Sequence, residues 1–421
     1  MTRAHLRTLI PGGGTPYSKT RYPANAPLAV QGQGGQILGS DGRWYVDWAM
    51  GINNVLIGHA EPAIDDAAIA ALRSGQALSG PSALEGELAE ALLALYPEMT
   101  MVKFAKNGSD VNNAAVKLAR AVTGRQLIAY DGSAPFLSTA DWWVSGSLHP
   151  RGTLEIEQDY SRRFTYNDLG SVEALFAVPD EQPACVILEV CRDARPAPGF
   201  LPRMRELCTQ HGTLLIFDEI VTGFRYGLGG AQALFGVTPD LLTLGKGIAN
   251  GHAVSALLGR RAYMALGDID RLGPDASVFL LSTTNGAEQS GLAAALATIQ
   301  FYQQQDVCGR LTEIGQRLIG LLDTAARRHG LPEYVFTTGD FWNRPLMQYL
   351  NAEGQFDPAF RELFQQEMFE AGVWWAWWVC PCYRRTEAEL VTTALALDAA
   401  CRVYAQAIRA GSVDGYLRRV T

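Results

Sequence analysis

Four apolar runs in the middle of the chain limit what it can fold into: RQLIAYDG (Arg125–Gly132), PACVILEV (Pro183–Val190), TLLIFDEI (Thr213–Ile220) and PDLLTLGK (Pro239–Lys246). They are near-continuous rather than alternating, the mark of strands buried on both faces. Helical segments such as MRELCTQHG (Met204–Gly212), closed by a glycine, lie between them. The pattern predicts an α/β domain with a mainly parallel sheet over residues 51–304. The ends read differently. GQGGQILGSDGRWYVDW (Gly32–Trp48) alternates around Ser40–Gly42, a hairpin signal. After residue 305 come helical periodicity, an extended stretch near Pro345–Leu350, and a last helix opened by the capping box TEAE (Thr386–Glu389). Segments 1–50 and 305–421 are therefore expected to combine into a smaller α+β domain.

Charge and cysteine usage exclude several classes of function. A net charge of −8 argues against a nucleic-acid or anionic-membrane partner. The N-terminus lacks the apolar core of a signal peptide, and no apolar stretch reaches the roughly 20 residues of a membrane span. The expected address is the cytoplasm. The seven cysteines are scattered, and the one close pair, Cys380 and Cys382, lacks a second Cys or His pair to complete a zinc site. No metal is expected.

Lysine usage is more selective. The chain has five lysines against 30 arginines, and Lys246 is the only lysine after Lys117. Arginine can replace a lysine that merely carries charge, but not one that must lose its proton and attack a carbonyl. Lys246 thus reads either as a lysine kept by chemistry or as a surface lysine that survived.

Two further stretches bear on that choice. In KNGSDVNNAAVKLAR (Lys106–Arg120), Gly108 and Ser109 precede an amphipathic helix whose first N–H groups could hold an anion, although Ser109 could equally be a cap. In LLIFDEIVTGFR (Leu214–Arg225), Asp218 ends a strand where water is scarce, and a carboxylate there is costly unless it meets a cation. In a parallel sheet the carboxyl ends of neighbouring strands open onto one crevice. A phosphate cradle, an acid and a lysine on one rim match pyridoxal 5′-phosphate, whose phosphate, ring nitrogen and aldehyde need those three groups. A nucleotide site fits less well, because neither GxxxxGK[ST] nor a convincing GxGxxG is present.

The stretch FDEIVTGFRYGLGGAQALFGVTPDLLTLGKGIANG resembles the signature of class III pyridoxal-phosphate-dependent aminotransferases, especially their glutamate-1-semialdehyde aminomutase-like branch. The likeness extends to LIPGGGTPYSK, DGRWYVDWAMGINNVLIGHAEP, FAKNGSDVNNAAVKLARAVTGR, FLLSTTNGAEQSGLAAALA and the last helix. It implies the fold-type-I architecture and a homodimer with sites at the subunit interface. It also implies roles: Lys246 as the Schiff-base lysine, Asp218 as partner of the pyridinium nitrogen, Ile220 on a ring face, and Gly108 with Ser109 at the phosphate. Thr283 or Thr284 would reach the phosphate of the partner's cofactor.

The chain also departs from the family. The aromatic-His pair that usually follows YDG is replaced by Ala134 and Pro135, which makes Phe136 the nearest ring-stacking candidate. A common His-Thr pair near the C-terminus is Arg385-Thr386 here. Trp374, Trp375, Trp377 and Trp378 crowd five positions. As a strand, Trp375 and Trp377 would share one face, either packing in a core or forming a wall for a ring-bearing substrate. Tyr17, Trp48 and Asn53 lie in the segment that borders the substrate in this family; each has the type to contact a hydroxyl or a ring face, and each could equally be structural. Arg225 is the nearest arginine for a donor carboxylate. The expected activity is amino-group exchange between a small amino donor and a carbonyl acceptor, a sugar, aminoglycoside or related intermediate of antibiotic biosynthesis. An aminomutase or epimerase is the alternative.

Overall fold

The computed structural model describes residues 1–133, 136–191, 194–339 and 341–418. Three strands come first: β1 (Ala29–Gln33), β2 (Gln36–Gly39) and β3 (Trp44–Asp47). Seven follow: β4 (Met101–Ala105), β5 (Ile128–Asp131), β6 (Ser161–Phe164), β7 (Cys185–Glu189), β8 (Leu214–Glu219), β9 (Leu241–Leu244) and β10 (Ser255–Gly259). The last three are β11 (Val335–Thr338), β12 (Leu346–Tyr349) and β13 (Val373–Trp374). The chain divides into two compact units, Pro62–Gln305 and a smaller one made of Met1–Glu61 with Asp306–Thr421.

The larger unit holds one seven-stranded sheet in the order β4-β10-β9-β8-β7-β5-β6. The apolar runs form β5, β7, β8 and β9, paired in parallel. Only β10 runs against its neighbours, β4 and β9. The architecture is that of fold type I, as the resemblance implies. Helix Gly108–Thr123 buries Val111, Ala115 and Leu118 in the core on one side of this sheet. Their spacing puts them on a single helical stripe. The helix ends at Gly124, whose φ of +68° suits a residue without Cβ.

In the smaller unit β1, β2 and β3 form the expected meander, with β13 added parallel to β3. The Ser40–Gly42 turn joins β2 to β3, and Gly42 takes φ +79°. Thr386 caps the last helix, Glu387–Ala410, and Glu389 closes the capping box. Residues 51–61, expected with the larger domain, group instead with the chain ends. Leu56 and Ile57 accept from the Tyr383 and Arg384 N–H groups, and Arg384 pairs with Glu61.

The tryptophan run corrects two expectations. Trp375 is a core residue rather than a pocket wall: it is fully buried, packs on Trp48 and Phe364, and donates its Nε1 to the Tyr349 hydroxyl at 2.8 Å. Trp377 does not share its face. The chain bends at residue 377, and that ring joins Trp378, with Trp374 and Ala376, in a second cluster. Trp375→Ala should therefore destabilise the smaller unit by about 3–5 kcal/mol. Trp377→Ala should cost much less, since that ring is half-buried and its Nε1 finds no acceptor among the described residues. Urea denaturation followed by tryptophan fluorescence checks the difference.

Candidate active site

The site is built on the carboxyl ends of β7, β8 and β9. In register, Glu189 lies opposite Asp218, and Asp218 lies opposite Thr243. Side chains at paired positions of parallel strands share a sheet face, so these three project toward helix Gly108–Thr123. Asn112, fully buried in that helix, ties Asp218 to Thr243. Its Nδ2 donates to Asp218 Oδ2 at 2.7 Å and to the Leu137 carbonyl at 2.6 Å, while its Oδ1 accepts from Thr243 Oγ1 at 2.6 Å. The Ile220 N–H donates to Asp218 Oδ1 at 2.9 Å. Both carboxylate oxygens are thereby fixed. The adjacent Glu219 faces the other way and accepts from the Thr222 hydroxyl and the Ala231 and Gln232 N–H groups.

Burial, and after it the neighbouring Glu189 carboxylate, push the Asp218 acid up to about 6. The Ile220 N–H, the Asn112 amide and the Lys246 ammonium oppose that shift without cancelling it. A carboxylate held this way is poised for a cation.

Lys246 follows Gly245 at the end of β9 and opens the 3₁₀ turn Lys246–Ala249. It is half-buried, and its φ is +46°. That left-handed conformation is strained for a residue with a Cβ and clusters at functional sites. Ile220 sits between the cradle and the lysine. A methyl group at Gly108 would overlap its side chain, and one at Gly245 would come within 3.3 Å of it. Glycine at 108 thus leaves the Ile220 side chain the place it occupies, and a larger residue would make that side chain shift. The Ser109 hydroxyl accepts from the Thr139 N–H at 3.1 Å, which pins the loop after β5 to the helix start. Gly108, Ser109, Asp218, Ile220 and Lys246 therefore gather within the larger unit.

The remaining expected residues stand elsewhere. Phe136 is exposed, with its ring edge-on to Trp143 at 5.1 Å; Ala134 and Pro135 lie outside the described residues. Thr283 and Thr284 are exposed in the loop before helix Gln289–Gln304. Tyr17, Trp48, Asn53, Trp375 and Trp377 belong to the smaller unit. Within it, Trp48 is fully buried and donates to Thr393. Asn53 is buried with φ +58°, and Tyr17 is exposed. Arg385 is wholly internal: it donates to the Gly35 and Asp47 carbonyls and lies 4.3 Å from the Trp48 ring centre. Arg225 is likewise fully buried, with Nε on the Val221 carbonyl. Asn112, Thr243 and Glu189 were not anticipated. The available signals were a polar residue on an apolar helix stripe and polar residues inside buried strands.

The aminotransferase class-III family model matches residues 17–139 and 146–407. The chain belongs to that family. It is a pyridoxal-phosphate-dependent enzyme. This aminotransferase is 34% identical over 408 residues to the glutamate-1-semialdehyde 2,1-aminomutase of Thermomicrobium roseum, covering 91% of the chain and 93% of that protein. In structure it is similar to the FumI protein of Sphingopyxis sp. MTA144 in its PLP internal aldimine form, with a TM-score of 0.86, 26% identity, and 99% and 98% of the two chains covered. It is also similar to an omega-transaminase from Sphaerobacter thermophilus, with a TM-score of 0.83, 26% identity, and 96% and 97% covered.

The raised Asp218 acid carries a stability signature in the cofactor-free aminotransferase. Between its ordinary value of 3.8 and about 6, the unfolded chain has released this proton and the folded chain still holds it. The Asp218 contribution to stability therefore falls as pH rises through that window, and the neighbouring Glu219, raised by burial from 4.5 to about 7, adds a fall of the same sign that extends higher. Asp218→Asn should make the apoprotein's stability curve less steep below about pH 6 and leave the Glu219 part of the fall in place, measured by urea midpoints from pH 4 to 7. An unchanged slope would contradict the assignment.

Proposed function

We propose that this enzyme exchanges an amino group between an amine donor and a keto or aldehyde acceptor. Lys246 is the group that holds the cofactor carbon and then moves protons, and Asp218 is the partner of the ring nitrogen. The observation that carries the proposal is the gathering of a half-buried lysine and a fixed, buried carboxylate beside a helix start whose glycine leaves room for Ile220. These residues fit pyridoxal phosphate. The buried Asp218 suits a protonated ring nitrogen, the Ile220 side chain suits an apolar ring face, and the amino end of helix Gly108–Thr123 suits a phosphate. When bound, the cofactor supplies an aldehyde carbon that captures amines and a ring that withdraws electrons.

The chain's own residues do the rest. Asn112 and the Ile220 N–H hold the Asp218 carboxylate in place, so that its charge keeps the ring proton in position. Lys246 would hold the cofactor through Nζ, and the same nitrogen, when free, would accept and give back the substrate proton. A lysine suits this role because its amine loses its charge when partly desolvated.

For the acceptor, a polar ring such as a sugar or aminoglycoside intermediate remains the proposed class. Of the four clustered tryptophans, Trp377 alone keeps a partly exposed side chain in support of it. A cytoplasmic homodimer is proposed as the assembly, with Thr283 or Thr284 at the partner's phosphate. The exposure of both threonines and the seven free cysteines agree with this. The aminomutase relatives favour a second reading, in which the amino group returns to the same carbon skeleton.

A screen of amino donors with no acceptor present separates the two. Transfer leaves the cofactor aminated and releases a keto product in stoichiometric amount. A mutase yields an isomer of the substrate and restores the cofactor. Absence of any spectral change with every donor would sink both readings.

A further inference from the structure

We propose that the smaller unit carries a second binding site, for a small ligand bearing a multiply charged phosphate-type group, built on Arg7, Arg21 and Arg361. It lies between the N-terminal segment and helix Pro358–Glu370, where a cavity of about 580 Å³ is lined by these three arginines, Tyr17, Gln365 and a single acid, Glu362. Three guanidinium groups against one carboxylate is an unusual local balance in a chain of net charge −8.

Other arginines of this unit are already engaged. Arg384 pairs with Glu61, Arg385 donates to backbone carbonyls, and Arg317 pairs with Glu387. By contrast, none of the three cavity arginines has a carboxylate within ion-pair distance among the described residues, and none donates a side-chain hydrogen bond there. Arg361 is half-buried, with its guanidinium 5.5 Å from the Phe356 ring centre. Burial, and further the Arg21 charge, weaken its hold on its proton, and Tyr349 and Glu362 oppose that shift without cancelling it. A desolvated cation next to a like charge is unfavourable until an anion joins them.

The site is also held in shape. Arg21 lies over the Tyr17 ring at 4.7 Å. Its loop is fastened from behind by Arg3, which donates to the Thr20, Tyr22 and Pro23 carbonyls at 2.9, 3.1 and 2.5 Å. Planar guanidinium forks match the oxygens of a phosphate two at a time, and a fixed loop loses less entropy on binding. Tyr17 adds an exposed aromatic face at the rim.

The test is isothermal titration of inorganic pyrophosphate into the holoenzyme at constant ionic strength, with the cofactor site saturated so that it cannot take the probe. One saturable event per chain is expected. Arg361→Gln and Arg21→Gln should each weaken it about tenfold or more, the worth of a lost charged hydrogen bond. Arg327→Gln, which removes an exposed charge from the same unit, should leave it unchanged. Arg21 is exposed in a loop, so its variant keeps the test open even if Arg361→Gln is unstable. Lack of saturation, or equal affinity in the wild type and both cavity variants, overturns the proposal. Neither result bears on the roles proposed for Lys246 and Asp218, which lie in the other unit.

Discussion

Lys246→Ala should lower kcat/KM for amino transfer by about 10⁴-fold or more while leaving the protein folded. In the proposed reading two functions vanish with one side chain: the amine that would hold the cofactor carbon and the base that would move the substrate proton. No other residue after Lys117 can substitute, because every remaining basic side chain in that span is arginine or histidine. Lys246→Arg should be nearly as inactive, since a guanidinium stays protonated and cannot form the same bond. Stability should change by no more than about 1 kcal/mol, because Lys246 sits half-buried at a turn and carries none of the core. Single-turnover spectra with a donor, alongside thermal unfolding, separate lost chemistry from lost fold. A variant with more than a tenth of wild-type activity would remove Lys246 from its role.

Asp218→Asn should keep part of its cofactor and lose on the order of 10³-fold in turnover, comparable to removing a well-placed charge-stabilising group. An amide cannot hold the ring proton as a carboxylate does. Nor can it reproduce the contacts of the native acid. Asp218 accepts at both oxygens, from Asn112 Nδ2 and from the Ile220 N–H. An asparagine must present its NH₂ to one of them, so one hydrogen bond becomes a donor facing a donor. The neutral side chain does relieve the desolvation that raises the native acid, and the variant should fold. Cofactor retention is measured by absorbance after gel filtration and turnover under saturating cofactor. Near-native turnover would assign the ring nitrogen to another group.

Some of this site could be read directly from the chain. Lys246 stood out because arginine replaces lysine almost everywhere around it, and Asp218 because it ends a strand with no exposed face. Gly108 was recognisable at a helix start, but the reason for glycine, the Ile220 side chain against it, needs a contact 112 residues away along the chain. Asn112 was hidden for the same reason. An asparagine on a helix is ordinary until the Asp218 carboxylate and the Thr243 hydroxyl are brought to it. The strand β10 was missed because SALLG is five residues long and reads the same in either direction of pairing. The tryptophan run misled because alternation holds only while a strand continues, and the chain bends at Trp377. Arg385 invited a functional reading, yet its partners are carbonyls 350 and 338 residues distant.

The central claim is that Lys246 is the residue that holds the cofactor. Borohydride reduction of the purified holoenzyme, followed by proteolysis and peptide mass mapping, tests it without reference to substrate. The cofactor mass should appear on a single peptide containing Leu241–Gly251, at Lys246. A label on Lys19, Lys103, Lys106 or Lys117, or no label at all, would contradict the account.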